Sequence, residues 1–236
     1  GNYAAGAFDA ASGELLGACA GFFGPPSRAE LHSHVAGVLP AGLGRSVGFA
    51  LKVHQRAWCL QQDVPSVAWT YDPLIRRNAY FNLVKLGARP VEYLRNFYGG
   101  LDDAINTGTE TDRVLVRWDL RSAVAADASA GMPGPASFAA ERARGAVAVL
   151  SADARGRPVP GRPRGGGPGH RTLLVGVPPD IESLRAADPA AAAAWRTALR
   201  DVLEPLVAAG ARVTGFDRSG WYVVSTEGMR DEADRG

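Results

Sequence analysis

The chain contains, between Leu31 and Lys52, the sequence LHSHVAGVLPAGLGRSVGFALK. An apolar run is followed there by a turn rich in glycine and then by apolar residues at helical spacing. This order predicts a strand, a turn and the start of a helix. The first amide groups of a helix lack partners within the helix, and the helix dipole adds partial positive charge beside them. The segment is therefore typical of a site that binds a pyrophosphate.

The composition indicates one large domain or one and a half domains. The 236 residues are 46% hydrophobic, and 26 basic against 24 acidic residues leave a formal net charge of +2. So small a charge gives no strong attraction to nucleic acid or to anionic lipid, and we expect neither as a partner. No stretch approaches the length of a membrane-spanning segment and no signal peptide is recognisable, which indicates a cytoplasmic protein. Cys19 and Cys59 lack metal-binding spacing, so we expect both to be buried and no metal to be bound.

Apolar runs on either side of the opening segment predict an α/β architecture, with a mixed and mostly antiparallel sheet flanked by helices. The predicted strands cover residues 4–8, 15–23, 31–38, 66–71, 91–98 and 113–120, and the predicted helices cover residues 45–62 and 75–86. On the first of these helices we expect the solvated face to carry Arg45, Lys52, His54 and Arg56.

Four regions follow one another along the chain. Residues 1–120 form the predicted core. Residues 121–170 are rich in Ala, Pro and Gly and carry too little apolar surface to order, so we expect a flexible segment there. Residues 171–226 form an α+β extension, a strand, a helical region and a hairpin, that packs on the core, and residues 227–236 form a charged tail.

Two common nucleotide-binding motifs do not describe the opening segment. The glycines at 42, 44 and 48 do not give the GxGxxG spacing of a dinucleotide-binding fold. A phosphate-binding loop of the other common type would end in Gly-Lys-Ser or Gly-Lys-Thr, which the segment lacks.

The segment resembles instead the acyl-CoA motif of the GNAT superfamily of N-acyltransferases, in which a strand ending in Val-x-Pro runs into Arg/Gln-x-x-Gly-x-Gly at a helix start. Val38, Pro40 and Gly48 match, whereas Leu43 stands at the Arg/Gln position and Ser46 at the first glycine. The resemblance implies the GNAT fold and an acyl-CoA that is held mainly by backbone amides, with Arg45 as the nearest cation. The residues it assigns to this cofactor are Val38, Leu43, Gly44, Arg45, Ser46, Val47, Gly48 and Asn78.

Further stretches resemble one branch of that superfamily, the predicted acyltransferases associated with N-acylamino acid racemase and o-succinylbenzoate synthase relatives. They are residues 69–87, 93–99 and 111–118, with shorter matches at 177–184, 195–200 and 212–216. This resemblance implies acetyl-CoA or succinyl-CoA as donor and an amino acid or a similar small-molecule amine as acceptor. A homodimer is one oligomeric state that we consider, although the sequence does not determine it. Members usually have a strand and one or two helices before the first hairpin, so the chain looks truncated at its N-terminus.

The strand before the turn carries the candidate base. An amine attacks a thioester only when it is neutral, so a base must take up its proton. Because side chains alternate along a strand, we expect His32, His34, Ala36 and Val38 to share one face. In relatives that use a glutamate base, the glutamate falls at the position of His32, and imidazole titrates in the range the task requires. The alternative is that both histidines only form hydrogen bonds within the sheet.

The second predicted strand-to-helix junction supplies further candidates. Asp72 is either a second base, an anchor for the substrate ammonium, or a cap of the following helix. The tyrosine that protonates the leaving thiolate in many relatives would fall at Leu83, so that acid is missing, and Tyr71 or Tyr80 replaces it or belongs to the core.

Other residues near this junction are candidates for binding substrate. Asn78 matches a position that contacts the pantetheine or phosphate arm, and Asn82 follows one turn later on the same helix face. A carboxylate on either substrate would bind an arginine such as Arg77. We therefore assign substrate binding to Tyr71, Asn82 and Arg77.

Three alternatives to amine acylation stay open. The departures at Leu43, Ser46 and Leu83 favour a protein that binds acyl-CoA without transferring its acyl group. Acylation of a protein lysine is the second alternative, and another acyl-CoA reaction, such as decarboxylation, is the third.

Overall fold

A computed structural model describes residues 2–24, 29–99, 110–134, 137–161, 172–227 and 229. Its strands are β1 (Tyr3–Phe8), β2 (Leu15–Phe23), β3 (Glu30–Val38), β4 (Ser66–Tyr71), β5 (Arg89–Leu94), β6 (Arg113–Asp119), β7 (Val147–Ala152), β8 (Pro158–Pro160), β9 (Thr172–Gly176), β10 (Arg212–Asp217) and β11 (Trp221–Ser225). Its α-helices are α1 (Val47–Gln61), α2 (Arg76–Tyr80), α3 (Ala123–Ser129), α4 (Phe138–Ala143), α5 (Ile181–Ala187) and α6 (Pro189–Ala208). A 3-10 turn covers Pro40–Gly42 and a π-helical turn covers Phe81–Lys85.

The strands form two mixed sheets, which confirms the predicted α/β class. One sheet has the order β1-β2-β3-β4-β6-β5 and the other the order β10-β11-β9-β7-β8. In the first sheet β2 pairs with β1 and β3 in antiparallel fashion, and β3 pairs with β4 in parallel. In the second, β9 runs antiparallel to β11 and parallel to β7.

The chain divides into two compact units. The first comprises Gly1–Trp69, Lys85–Ala88 and Arg117–Gly134, and the second comprises Thr70–Val84, Arg89–Val116 and Pro135–Gly236. This division differs from the predicted boundaries after residues 120 and 170. It differs because β4 and β6 each contribute residues to both units, so the chain enters and leaves each unit more than once.

In the first unit, α1 packs against β1, β2 and β3. Leu31, Val67 and Trp118 are fully buried there, and the ring of Trp69 meets that of Trp118 edge to face at 6.1 Å between centroids. Cys19 and Cys59 are buried, as predicted.

A register shift in β3 changes which of its side chains share a face. Ser33 pairs with Gly21 of β2, but Val35 pairs with Ala20, so His34 is an extra residue between two consecutive pairs. Such a bulge reverses the alternation of side chains beyond it. The prediction that Ala36 and Val38 lie on the face of His32 is therefore wrong.

The segment from residue 121 to residue 170 was expected to be flexible, and the structure corrects this expectation. It contains α3, α4, β7 and β8, and Leu150 of β7 is fully buried. The β7 strand orders because it pairs with β9 on one side and β8 on the other, which a count of local apolar residues does not detect. The Gly-rich residues 162–171 and most of the predicted tail lie outside the described residues.

In the second unit, α6 supplies both apolar and charged groups. Trp195, Leu199 and Leu203 are fully buried on one side of this helix. Arg200 forms two hydrogen bonds of 2.8 Å with the buried carboxylate of Asp112, which also accepts a bond from the Tyr93 hydroxyl at 2.8 Å. A charge that is buried with several donors in this way is a fixed structural element.

The 3-10 turn packs closely against β2 at Gly42, where there is no room for a side chain. Replacement of Gly42 tests this packing. A Cβ at Gly42 would lie 2.6 Å from the carbonyl oxygen of Leu16, whereas a Cβ at Gly37 would meet nothing within 4 Å. We expect Gly42→Ala to lower the free energy of unfolding by about 1 to 3 kcal/mol through overpacking, as measured by urea denaturation. The control Gly37→Ala should change it far less, and equal losses would contradict this account.

Candidate functional site

The edge of β3 is paired with β4 over a short length. The parallel register joins Glu30 to Ser66, Leu31 to Val67 and His32 to Ala68, whereas the pairing of β3 with β2 continues to Val38. Among the described pairs, the β3 residues after His32 therefore have no partner on β4. Their backbone groups on that edge are free to bond a ligand that lies along the strand.

The turn that follows β3 directs the start of α1. Gly44 has φ +73° and Ser46, the residue before the helix, has φ +60°, so both adopt the left-handed conformation. The first bond within the helix runs from the Ala50 amide to the Ser46 carbonyl at 3.0 Å. Ser46 forms no side-chain cap with the described residues, so the amides of the first helical turn stay available to an anion.

The predicted cation of the turn already has a partner. Arg45 Nη2 lies 2.8 Å from Asp9 Oδ2, and about half of the Arg45 side chain is exposed. The hydrogen bond from Arg45, followed by backbone bonds from Ser12 and Ala11, lowers the pKa of Asp9 to about 2. A phosphate at this turn would share or displace an exposed ion pair, which costs little.

Both candidate histidines are exposed on β3. Their ring centroids lie 6.4 Å apart, and the His34 ring lies 5.4 Å from that of Phe22. Partial burial, followed by the charge of His34, lowers the pKa of His32, while Glu30 acts in the opposite direction. His32 is thus held in its neutral form near pH 7, which is the form that accepts a proton.

Asp72 is enclosed by arginines in the second unit. Its two oxygens accept bonds of 2.9 Å from Arg196, and Oδ2 accepts a further bond of 2.5 Å from Arg185. Burial on its own raises the pKa of Asp72, but the bonds and charges of Arg196 and then Arg185 lower it to about 2. A carboxylate this acidic is a poor proton acceptor, so the structure disagrees with the predicted role of Asp72 as a base.

The residues assigned to substrate binding are engaged in the second unit. The Tyr71 hydroxyl lies 3.2 Å from that of Tyr222, and burial raises its pKa well above the ordinary value. Arg77 forms an exposed ion pair with Glu182, with Nη2 and Oε1 at 2.8 Å. These contacts are those of a core tyrosine, which is one of the two alternatives given for Tyr71, and of a surface ion pair, which differs from the predicted role of Arg77 in substrate binding.

The helix that carries the two candidate asparagines changes its winding between them. Asn78 is half-buried on α2, and Asn82 is buried in the π-helical turn that follows. Leu83, at the position of the relatives' acid, is buried in the same turn. A π turn holds more residues than an α turn, so the predicted spacing of one α-helical turn between the asparagines does not apply.

Lys52 of the first unit also differs from the position predicted for it. It was expected on the solvated face of α1, yet its side chain is 3% exposed. Its Nζ donates to Ser33 Oγ and to Gln55 Oε1, both at 2.9 Å, and lies 3.7 Å from the centre of the Trp69 ring. Its position one residue after Leu51, on the buried stripe that continues to Gln55 and Cys59, is the signal that was available.

A cavity of about 590 Å³ lies against β1, β2 and β3. Small side chains line much of it, among them Ala4, Gly6, Ala18, Ala20 and Gly37. In the described ranges, no group of three or more His, Cys, Asp or Glu side chains is placed to hold a metal ion. No helix within those ranges is long and apolar enough to cross a membrane.

No protein-family model matches the chain, and no curated protein matches it. Part of it is similar to solved acetyltransferases. The ribosomal-protein-S5-alanine acetyltransferase from Vibrio fischeri has 12% identity and a TM-score of 0.43, over 51% of this chain and 63% of that one. An N-acetyltransferase from Staphylococcus aureus Mu50 has 12% identity and a TM-score of 0.40, over 47% of this chain and 64% of that one.

A third similar structure is the ribosomal-protein-S18-alanine N-acetyltransferase from Escherichia coli, with 14% identity and a TM-score of 0.42. The match covers 52% of this chain and 71% of that one. The chain spans just under two thirds of the length of the Vibrio fischeri and Staphylococcus aureus proteins. At these identities and TM-scores the likeness carries no conclusion about function.

The arginine cluster around Asp72 predicts a defined response to acid. A carboxyl whose pKa is lowered contributes stability above its ordinary pKa and loses that contribution as the pH falls toward its folded value, here from about 4 to about 2. We expect Asp72→Asn to lower the free energy of unfolding at pH 7 by about 3 to 5 kcal/mol, because it leaves buried guanidinium groups unpaired. It should also flatten the dependence on pH between 4 and 2. Chemical denaturation across this range measures both, with Asp63→Asn as control because the Asp63 side chain is 95% exposed. An Asp72→Asn variant as stable as the parent would refute the account.

The left-handed backbone at Ser46 predicts the order of stability of two variants. Valine is strained at φ +60° whereas glycine is not. We expect Ser46→Val to lower the free energy of unfolding by about 1 to 2 kcal/mol, and Ser46→Gly to leave it nearly unchanged or to raise it. Thermal or urea unfolding of the two variants checks this order, and a more stable valine variant would show that the turn has another conformation.

Proposed function

We propose that the protein is an acyl-CoA-dependent N-acyltransferase that transfers an acetyl or succinyl group to the amine of a small molecule, an amino acid or a related metabolite. One observation carries the proposal. Along a single strand, turn and helix, two exposed histidines are followed by an unpaired strand edge and then by free amides at a helix start. These are the three parts that an acyl-CoA and an attacking amine require.

The turn fits the pyrophosphate of an acyl-CoA. The amides of the first turn of α1 point out of the helix start, and Gly44 leaves open space above the backbone. A Cβ at Gly48 would touch Val38 Cγ2 at 3.4 Å, so the helix start lies close to the end of β3. Backbone donors make these contacts, which explains how Leu43 and Ser46 are tolerated where the resembled family has Arg/Gln and Gly.

The β3 strand supplies the chemistry in this proposal. His32 or His34 accepts a proton from the substrate ammonium, directly or through water. The neutral amine then forms a C–N bond with the thioester carbonyl carbon as the C–S bond breaks, and the acylated nitrogen releases its second proton to solvent. An amide on the edge of β3 beyond His32 donates to the carbonyl oxygen as negative charge develops there. Leu83 offers no acid, so the CoA sulfur leaves as a thiolate and takes its proton from solvent. Most of the rate acceleration then comes from positioning the two reactants.

A specific observation favours a second candidate, a protein that binds acyl-CoA and does not transfer its acyl group. Leu83, at the acid position of the resembled family, is a buried apolar side chain in the π-helical turn. Acylation of a protein lysine and decarboxylation of an acyl-CoA stay as further alternatives. The assignment to the racemase-associated branch, the homodimer and the cytoplasmic location stay predictions.

The experiment that separates the two candidates uses the whole chain with acetyl-CoA or succinyl-CoA and mixtures of amino acids. The release of free CoA thiol is measured by a colorimetric thiol assay, with and without amine. Thiol release that depends on amine supports the transferase. Binding of CoA in calorimetry without such release supports the binding protein, and the absence of both would sink the proposal.

The histidines predict how activity responds to mutation. We expect His32→Gln or His34→Gln, whichever removes the base, to lower kcat/KM by about 10² to 10⁴. His54→Gln is the matched control, because His54 lies on α1 and bonds the Tyr3 hydroxyl at 2.9 Å. If all three variants keep the kcat/KM of the parent, neither β3 histidine is the base.

The pKa of His32 predicts the shape of the pH profile. If His32 is the base, activity is lost as the pH falls through its folded pKa, because protonation removes the acceptor. Since that pKa is lowered, the acid limb of kcat/KM should lie below about pH 6.5, the ordinary value of histidine. Steady-state rates between pH 5 and 8 measure the limb, and a midpoint clearly above that value would exclude His32 as the base.

A further inference from the structure

Lys52 is a buried ammonium whose close contacts, within the part of the chain that the structure describes, are all with neutral groups. They are the Ser33 hydroxyl, the Gln55 amide oxygen and the face of the Trp69 ring. Burial of a cation is costly unless hydrogen bonds and a favourable field compensate it, and an apolar side chain of the same size would avoid the cost. The charge of Lys52 and its hydrogen bonds are what an apolar side chain at this position would lack.

The contacts of Lys52 join three elements of the first unit, and Gln55 extends the network to a fourth. Lys52 and Gln55 lie on α1, Ser33 on β3, and Trp69 on β4. Gln55 Nε2 also donates to Cys19 Sγ on β2 at 3.4 Å, and that sulfur lies 3.8 Å from Ser33 Oγ. A network whose members are all satisfied is rigid, so the bonds of Lys52 fix Ser33 in one position.

Ser33 lies directly before the bulge of β3. It lies between His32 and His34 in the sequence and forms the last regular pair with β2 before the extra residue His34. Its side chain faces α1, whereas His32 is exposed on the opposite face of the strand. An interaction that holds Ser33 consequently holds the bulge and both histidines.

We propose that Lys52 is a positioning residue for the acyl transfer: its ammonium holds Ser33 and thereby the bulged part of β3 that presents His32 and His34. This inference rests on the proposed function. It assigns to Lys52 no contact with either substrate, since its side chain is buried under α1. Its effect reaches the reaction through the strand and through its charge.

The charge of Lys52 acts on His32 as well. From its own strand His32 faces His34 and Glu30, and Glu30 bonds Arg117 Nε of β6 at 2.6 Å and Ser66 of β4 at 3.1 Å. Lys52 lies on the other side of β3, toward α1, and its charge, after burial and His34, contributes to lowering the pKa of His32. Burial lowers the pKa of Lys52 to about 8, with the thiols of Cys19 and Cys59 acting in the opposite direction. The positive charge is thus present at neutral pH and is lost as the pH rises through about 8.

The test combines NMR titration of the histidine rings with the pH profile of the transferase. We expect Lys52→Met to raise the pKa of His32, because a nearby positive charge is removed. The acid limb of kcat/KM should move by the same amount. Lys85→Met is the matched control, since Lys85 is the exposed second lysine of the chain, and it should move neither.

Two further variants separate position from charge. Ser33→Ala keeps the cation and removes its bond to β3, so we expect faster hydrogen exchange of β3 amides and a lower kcat, with the His32 titration unchanged. Gln55→Glu places a carboxylate beside Lys52 and should shift the His32 titration upward in the same way as Lys52→Met. This variant also decides the electrostatic part if Lys52→Met does not fold.

Two results would overturn the proposal. One is a folded Lys52→Met or Gln55→Glu protein in which His32 titrates as in the parent, and the other is unchanged exchange of β3 amides in Ser33→Ala. Failure of the proposed function gives a different result, namely no thiol release in any variant, including the parent. The NMR and exchange measurements report on Lys52 in either case, because they need no activity.

Discussion

The bond between Lys52 and Ser33 controls the geometry on which the rest of the first unit depends. It joins α1 to β3 at the residue where the pairing with β2 skips His34. A bulge reverses the faces of all later side chains, so without it Val38 would point away from the turn that follows. With it, Val38 lies beside Gly42 of that turn and Gly48 of α1, while His32 stays exposed on the other face. Because of this one extra residue, the end of β3 packs against the start of α1 while His32 remains exposed on the other face of the same strand.

The two units solve the burial of charge in opposite ways. Lys52 is an isolated cation among neutral partners, and its pKa falls toward neutrality as a result. Asp72 is surrounded by guanidinium groups, and its pKa falls because the charged form is strongly favoured. The first arrangement leaves a group whose charge responds to mild changes in pH, whereas the second is locked over the whole physiological range. In the first unit, the charge of Lys52, beside the proposed site, therefore changes with pH near neutrality. In the second unit, Asp72 stays charged and binds Arg196 of α6.

Periodicity alone predicted much of the first unit and failed where contacts distant in sequence decide the structure. The strand at Ser66–Tyr71 and the helix after the turn follow from local apolar patterns, and the structure confirms both. The face of Val38 was mispredicted because a strict period of two cannot reveal an extra residue. The charge of Lys52 favours a solvated position, but its place on the buried stripe of α1 decides where the side chain lies. The strand β7 was missed because its order comes from pairing with β9.

The departures from the resembled motif follow from which groups would make the contacts. If backbone amides hold the phosphate, the side chain at Leu43 is irrelevant to affinity, and its large exposed surface shows that the fold does not need it either. Ser46 matters through its backbone alone, since a φ of +60° is what aims the following amides out of the helix start. Serine adopts that conformation at a cost that glycine avoids. Under the proposed function, backbone conformation rather than residue identity forms the phosphate site, so a comparison of residue identities alone would rate this segment poorly.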